Sequence, residues 1–462
     1  MEAKQENKIP VRPVEDFFDN EYKGYAIYTI ENRAIPSVID GFKPTQRKVA
    51  HVANQVWKTG SEKPLKVFQL AGTVAANAYY HHGNASLEGA IIGMAQDFKS
   101  SMPIFQGIGQ FGSLRSPEAG APRYVGVKFN ENFRLLYKDF ELTTPQFEEG
   151  EEIEPHFFLP IVPTVLLNGG SGIAVGFATN ILNRNPLDLI DACVNVLDGK
   201  TVKELKPWIR GFDGTFDVAP DNPKSWLIRG KYDVKNTSTV EVTEIPPGFT
   251  YEKYESLLEG LVEKGTLHAY DDHTSGKIHY VLKFPRQTLA DLLKKGKLDD
   301  VLKMQERETE NYTTLDEHGK LKVFNSVAEI VEYFVNFRLT FYEKRKARLL
   351  VDLAHDVKFL SNRARFIKAI IDKELTVNGV KKTDLVNTLE NMGFDKEDDT
   401  YDYLLSMPIQ TLTKEKYDEL CKKVDVKQKE LDKVNRTSHE KMYRDDLALL
   451  RNQVQKEFTS TK

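Results

Sequence analysis

Residues 65–98 read LKVFQLAGTVAANAYYHHGNASLEGAIIGMAQDF, and the place where this stretch divides decides what surrounds it. Its first half, to Tyr80, fits a helix. Its second half predicts another that opens at Asn84, a residue type whose side-chain oxygen caps free backbone N–H groups. Leu87, Ile91, Met94 and Phe98 then step by 4, 3 and 4, the helical period. Upstream, PTQRKVAHVANQVW at 44–57 predicts a helix of its own, because proline suits the first helical position. Before it, YKGYAIYTIENRAIPSVIDGF at 22–42 begins helix-like and ends in a turn at Asp40-Gly41. Three short helices with basic residues at one end resemble a helix-turn-helix type of module.

Charge supports that placement. The whole chain of 462 residues has a formal net charge of −4, yet residues 21–66 hold eight Lys/Arg against four Asp/Glu. Lys43, Arg47 and Lys48 sit where a helix begins, and cations beside free N–H groups make a phosphate-binding edge. His81 and His82, in a loop ahead of Gly83 and Asn84, are candidates for anion binding or proton transfer. The length predicts two to four domains. Two cysteines, Cys193 and Cys421, make neither a disulfide framework nor a metal pattern, which fits a reducing, cytoplasmic compartment. No apolar run approaches the ~18 residues of a membrane span, so no membrane partner is expected. The chain carries no GxxxxGK[ST] loop, no HExxH and no acidic cluster with two-metal geometry; EDDTYD at 397–402 reads as a solvated link. Any ATP or metal ion in a dedicated site would therefore come from another chain, and no metal site is expected in this one.

The remainder changes character twice. FFLPIVPTVLLNGGSGIAVGFATNIL, 157–182, turns from apolar to Gly-rich. Gly170, Gly172 and Gly176 leave two readings open: a dinucleotide turn with spacing GxGxxxG, or a tight loop presenting Ile173 as an apolar wedge beside a basic surface. SWLIRGKYDV, TVEVTEIPPG and KIHYVLKFP have strand composition, with YEKYESLLEGLVEKG as an intervening helix, predicting an α+β unit. Ser326 and Glu329 form a capping box. Leu349, Leu353, Val357, Leu360, Ala364, Ile367 and Ile371 follow at 4, 4, 3, 4, 3, 4. A helix from Ser326 to Leu375 would run ~70 Å and needs a partner for its seam. The expected partner is YRDDLALLRNQVQKEF, through Leu447, Leu450, Val454 and Phe458. The apolar tip between them, YDYLLSMPIQTLTKEKYDEL, predicts dimerisation.

One short block remains: APRY at 121–124, closing the Gly-rich loop IGQFGSLRSPEAGAPRYVGV. A tyrosine beside an arginine means little alone in a chain with 19 tyrosines. In order along the chain, however, stand RAIPSVIDGFKPTQRKV, YHHGNASLEGAIIGMAQDF, IGQFGS, APRY, LPIVPTVLLNGGSGIAVGFATNI, TEIPPG and YLLSMPIQTLTKEK. Together they resemble the breakage-reunion subunit of type IIA DNA topoisomerases: the A subunit of DNA gyrase and the C-terminal half of eukaryotic topoisomerase II. Several blocks look more eukaryotic than bacterial. The arrangement looks most like the separate DNA-cleaving subunit of T-even-type bacteriophage enzymes, which would place the chain in the host cell cytoplasm.

The resemblance implies a mainly α, multidomain chain with α+β parts. A winged-helix DNA gate would span 22–155, a tower and shoulder domain 156–325, and a coiled-coil arm with a helical exit gate 326–458, with short tails at 1–21 and 459–462. It implies that Tyr124 attacks a DNA phosphodiester to leave a 5′-phosphotyrosine, and that Arg123 holds the scissile phosphate. His82 and Arg33 would complete the catalytic pocket, Arg33 by reaching across a dimer. Lys43, Arg47 and Lys48 match DNA-backbone contacts. His81, Asn84 and Ser86 lie in the same DNA-facing block, and Ile173 matches the intercalating wedge. The partners implied are double-stranded DNA, a second copy through the DNA gate and exit gate, and an ATPase/TOPRIM large subunit that completes a heterotetramer. That large subunit would hold both Mg²⁺ and ATP. The products implied are relaxation, decatenation and unknotting without net negative supercoiling, since the chain ends at Lys462 without a wrapping domain. Ala85 and Gly89 stand where bacterial members carry the serine and acidic residue that anchor quinolones.

Overall fold

The computed structural model describes residues 13–58 and 63–460. Of the two expected tails, residues 1–12 and 461–462 lie outside the described residues. Residues 14–21 are helical rather than tail-like, and the last helix continues to Ser460. The first helical run alternates α and π geometry: Val14–Phe17, Phe18–Tyr22, Lys23–Thr29 and Ile30–Ala34. The chain forms two compact units, one holding residues to Arg338 together with Asp446 onward, the other Leu339–Asp445.

In the larger unit the three short helices form where the apolar spacing puts them, at Pro44–Val56, Val67–Asn77 and Asn84–Ala95. The third differs in detail. Gly83 is its N-cap rather than Asn84. Leu87, Ile91 and Met94 are buried, but Phe98 falls beyond the helix, because Gln96 is extended and buried as a loop anchor. Strands Leu65–Lys66, Phe105–Ile108 and Gly126–Phe129 interleave with the helices in the chain. They form one antiparallel sheet, with Gly126–Phe129 in the centre. Behind the sheet runs an aromatic stack: Phe105 on Phe129 at 5.6 Å, Phe129 on Phe133 at 3.9 Å and Phe133 against Tyr137 at 5.2 Å. Such pairs add roughly 0.5–1.5 kcal/mol each beyond their buried area.

The α+β part has a four-stranded antiparallel sheet, ordered Lys231–Val234, Thr239–Glu244, Tyr280–Lys283, Ala269–Asp272. The expected helix lies at Tyr251–Glu263, capped by the Thr250 side chain. Its Tyr254, Leu258 and Leu261 share a core with Val240, Val242, Tyr280 and Leu282. A second sheet joins Thr215–Ala219, Asn222–Arg229 and Gln305–Thr309. Between the sheet systems Arg184 is fully buried against Glu310 at 2.7 Å, and Glu310 also accepts from Trp226 Nε1 at 2.8 Å and the Tyr312 hydroxyl at 2.9 Å. A buried ion pair persists only when its remaining lone pairs are satisfied in this way.

A helix of 45 residues, Val327–Ile371, runs from the larger unit into the smaller. The Ser326 hydroxyl accepts from the Glu329 N–H at 3.2 Å, as a capping box requires, but the Glu329 carboxylate reaches the Asn325 N–H (2.7 Å) instead of that of Ser326. In the smaller unit the expected partner does meet the long helix at its start, where Tyr443 stacks on Tyr342 at 4.4 Å, and a second helix shares the seam. It is Lys414–Arg436, where Lys427 pairs with Asp356 at 3.2 Å and the Lys346 ammonium donates to the Asn435 carbonyl at 3.2 Å. Leu420, Val424, Lys427, Leu431 and Val434 step by 4, 3, 4, 3 and are buried or half-buried, as are Lys416, Tyr417 and Cys421. Leu447, Leu450 and Val454 are buried in the larger unit, which also holds the first turns of the long helix, to Arg338; there Phe458 packs on Trp208 at 5.6 Å. The tip of the smaller unit has its own core, including Ile367, Leu389, Leu404 and Leu420, and leaves Ile409 exposed.

Candidate active site

The strands Phe105–Ile108 and Gly126–Phe129 are joined by a 17-residue loop, 109–125, and Arg123 and Tyr124 lie on its returning limb. The backbone there is tied to the start of the second short helix. The Val67 N–H donates to the Val125 carbonyl at 3.1 Å and the Phe68 N–H to that of Pro122 at 3.2 Å. Lys66 Nζ donates to the Tyr124 carbonyl at 2.5 Å. The Tyr124 side chain stays free of the core and is 66 % exposed. The guanidinium of Arg123 lies 4.8 Å from its ring centroid. An exposed phenol beside a permanent cation suits attack on an anionic centre, since the cation offsets charge that develops on the attacked group. Lys66 had no signal in its sequence surroundings to separate it from other surface lysines.

A groove of about 800 Å³ lies on the same unit, lined among others by Arg33, Lys43, His82, Ser86 and Lys99. Arg33 reaches it from the π-helical end of the first helical run, Ile30–Ala34. Lys43 caps the helix Pro44–Val56 and donates from Nζ to the Ser171 carbonyl at 2.7 Å. Burial pushes its pKa below the ordinary lysine value. His82 shares a 3.1 Å hydrogen bond between Nε2 and the Tyr28 hydroxyl and stands edge-on to the Tyr80 ring. Four cationic or protonatable side chains with hydroxyls and amides between them form a surface for a phosphate backbone. Among the described residues, no hydrogen bond or ring contact joins Tyr124 or Arg123 to Arg33 or His82. The site residues thus fall into two groups, Tyr124 with Arg123 and the groove with Arg33 and His82.

Two expected contacts are corrected. Arg47 is buried and forked on Asp40, with Nε to Oδ2 at 2.7 Å and Nη2 to Oδ1 at 3.0 Å. A fully buried carboxylate requires that counter-charge, so Arg47 is not available to DNA. Lys48 donates to the Ala78 carbonyl at 2.6 Å and to Glu154 at 3.0 Å, with 15 % of its side chain exposed. It too is structural. His81 pairs with Glu148 at 3.0 Å outside the groove and keeps 73 % of its side chain exposed. Asn84 is exposed at the start of its helix, and Ser86 faces the groove.

The glycine run resolves into a hairpin. Gly170–Ile173 pairs antiparallel with Ala178–Ile181, so no helix follows and the dinucleotide turn is excluded. A Cβ on Gly172 would meet the Ala34 carbonyl oxygen at 2.1 Å, which shows how closely the hairpin lies against the end of the Arg33 segment. Ile173 stands at the hairpin end, 87 % exposed, with Phe177 beside it partly exposed. No group of three or more His, Cys, Asp or Glu able to hold a metal occurs among the described residues. None of their helices is long and apolar enough to cross a membrane.

Comparison with known proteins bears on this arrangement. The family of the DNA gyrase/topoisomerase IV A subunit matches residues 33–449. The chain is 34% identical over 394 residues to DNA topoisomerase 2 of Candida albicans, covering 83% of this chain and 27% of that protein. It is 31% identical over 458 residues to the mitochondrial DNA topoisomerase 2 of Dictyostelium discoideum, covering 96% and 35% respectively. A crystal structure of the DNA-binding, cleavage and re-ligation domain of Plasmodium falciparum topoisomerase II is similar with a TM-score of 0.85 at 31% identity, over 96% of this chain and 65% of that one. The chain thus spans about a third of the length of these curated relatives.

Proposed function

The chain belongs to the family of the DNA gyrase/topoisomerase IV A subunit, and from that membership we propose that it is the strand-cleaving part of a type IIA DNA topoisomerase. The observation that carries the proposal is the pairing of an exposed Tyr124 phenol with the Arg123 guanidinium, on a unit that also presents a cationic groove and a bare isoleucine. In this reading the phenolic oxygen attacks a backbone phosphorus. A P–O bond to Tyr124 forms as the P–O3′ bond breaks, the phenol gives up its proton, and the 3′-oxygen leaves as a hydroxyl. One phosphoester replaces another, so the reverse attack reseals the strand without an external energy source. Arg123 stabilises charge on the phosphate. Lys43, Ser86 and Asn84 seat the backbone, with Lys66 as an added cation beside Tyr124.

The two groups, taken as half-sites, support a centre completed between two copies, with Arg33 and His82 of one protomer serving Tyr124 of its partner. Two such centres cut both strands of one duplex, and a second duplex passes through the break. Ile173 would enter the stack and bend the cut segment. Unstacking a base step costs a few kcal/mol, offset by the extra surface that bent DNA contacts. The topology of three helices and a three-stranded sheet with a long loop between its last two strands fits a winged-helix gate. Mg²⁺ takes oxygen ligands, usually carboxylates and waters. The described residues offer no such cluster, and in this reading a large subunit holds both Mg²⁺ and ATP. The deciding experiment mixes the chain with that large subunit, duplex DNA, ATP and Mg²⁺ and traps the products with denaturant. Wild type should yield protein-linked breaks and Tyr124→Phe none, with DNA binding kept. Equal activity of both would make the chain an architectural DNA-bending protein instead.

A further inference from the structure

The loop that carries Tyr124 is gripped at its tip by a single buried side chain. Arg115 is 6 % exposed. Its guanidinium donates to the carbonyls of Ile245 at 2.5 Å, Pro246 at 2.7 Å and Phe249 at 3.0 Å, and to Glu244 Oε1 at 2.6 Å. Its own carbonyl accepts from the Tyr251 N–H at 3.1 Å. The other side of this grip belongs to the four-stranded sheet. Along Thr239–Glu244, Val240, Val242 and Glu244 alternate onto the buried face, as side chains of a strand must. That parity brings a carboxylate to the sheet's end. The second oxygen of Glu244 accepts from the Asp213 N–H at 3.0 Å, so both oxygens are used.

The loop is shaped to reach the grip. Gly112 has φ +82°, and a Cβ there would meet the Ser116 carbonyl oxygen at 2.7 Å. Ser113 and Ser116 exchange backbone hydrogen bonds at 2.8 and 3.1 Å. Gln96 Nε2, at the end of the third short helix, donates to the carbonyls of Phe111 at 2.8 Å and Pro117 at 3.0 Å. The loop is therefore fastened to the helices by Gln96 and to the sheet by Arg115.

We propose that Arg115 is a positioning residue for strand cleavage, clamping the Tyr124 loop to the α+β sheet through Glu244. The proposal rests on Tyr124 being the nucleophile. Its physical basis is that no core packs the exposed Tyr124 ring, so the phenol goes where the loop backbone puts it. Catalysis is steep in such placement: an error of about 1 Å can cost about 100-fold in rate. A planar guanidinium fixes direction as well as distance, which a lysine in the same place cannot do.

The test uses the complete enzyme and a duplex substrate, and follows single-turnover formation of the covalent adduct alongside DNA affinity and thermal melting. Arg115→Lys is the deciding variant, because it keeps a cation opposite Glu244 and spares the fold. It should bind DNA within about 2-fold of wild type while adduct formation slows about 10-fold or more. Glu244→Gln should shift the rate in the same direction by less, and Arg115→Met by more. The clamp is refuted if folded Arg115→Lys and Glu244→Gln both cleave within about 2-fold of wild type, or if rate and affinity fall in parallel. A wild-type adduct absent or mapped away from Tyr124 is a different failure: it removes the nucleophile and the clamp's role with it.

Discussion

Lys43 and Arg47 are four residues apart, and the structure gives them different work. Both looked like one phosphate-binding edge in the sequence. What separates them is Asp40, fully buried, whose charge Arg47 neutralises with a two-point fork. A run of basic residues shows that cations are needed nearby; it does not show which of them a hidden carboxylate will claim. Lys48 went the same way to Glu154. Tyr124, Arg123 and Ile173 were legible because each stands in a distinctive block, and each is exposed or sits beside an exposed partner. Arg115 was illegible because its four acceptors lie some 130 positions along the chain. Lys43 offers a test at this scale. Its pKa is lowered by burial, so it loses its proton, and with it the attraction for phosphate, at a lower pH than an exposed lysine. DNA affinity should fall as pH rises toward the ordinary lysine value of ~10.4. Lys43→Arg stays charged and should flatten the profile, as measured by anisotropy of a labelled duplex. Parallel profiles would remove Lys43 from the interface.

Among elements, the hairpin 170–181 decides between the two readings of its glycines. The dinucleotide turn gives way to the tight loop presenting Ile173, and the glycines serve backbone proximity: Gly172 passes against the Ala34 carbonyl. Two substitutions separate the hairpin's placement from its tip. Gly172→Ala drives a Cβ into backbone and should destabilise the protein by about 1–3 kcal/mol, as overpacking does. Ile173→Ala removes an exposed side chain and should leave the melting temperature unchanged. Its effect should appear in DNA bending, read by energy transfer between duplex ends, with the bent population reduced. An unchanged bend would exclude the wedge. The helical arm shows another limit of pattern reading. The seam helix Lys414–Arg436 carries a perfect 4, 3, 4, 3 stepping, but one of its positions is Lys427 and its surface is heavily charged. The more apolar 443–458 was the expected partner, and its Tyr443 does stack on Tyr342 of the long helix. Periodicity identifies a buried face without saying what covers it, and Leu447, Leu450 and Val454 are covered in the larger unit.

For the whole molecule, the proposed function assigns the tyrosine and the groove to two half-sites and the metal to another chain. In that reading cleavage needs other chains. The purified chain alone, given duplex DNA and Mg²⁺, should bind DNA but form few covalent breaks, and adding the ATPase/TOPRIM subunit should raise them by orders of magnitude. Robust Mg²⁺-dependent cleavage without that large subunit would contradict the division of labour. A mixed dimer, with Tyr124→Phe in one protomer and Arg33→Ala in the other, tests sharing between copies. If Arg33 serves the partner's tyrosine, one centre keeps both groups and the other loses both, so nicks should replace double-strand breaks. If Arg33 serves the tyrosine of its own chain, both centres are damaged and nicks should vanish too.

The central claim is chemical and local, and one measurement addresses it without relying on strand passage. Complexes trapped by denaturant are digested with nuclease and protease, and the peptide carrying the residual nucleotide is sequenced by mass spectrometry. The expected result is a single modified peptide, with a 5′-phosphate esterified to the phenolic oxygen of Tyr124. A nucleotide on any other residue, a 3′-linkage, or no adduct with every component present would contradict it.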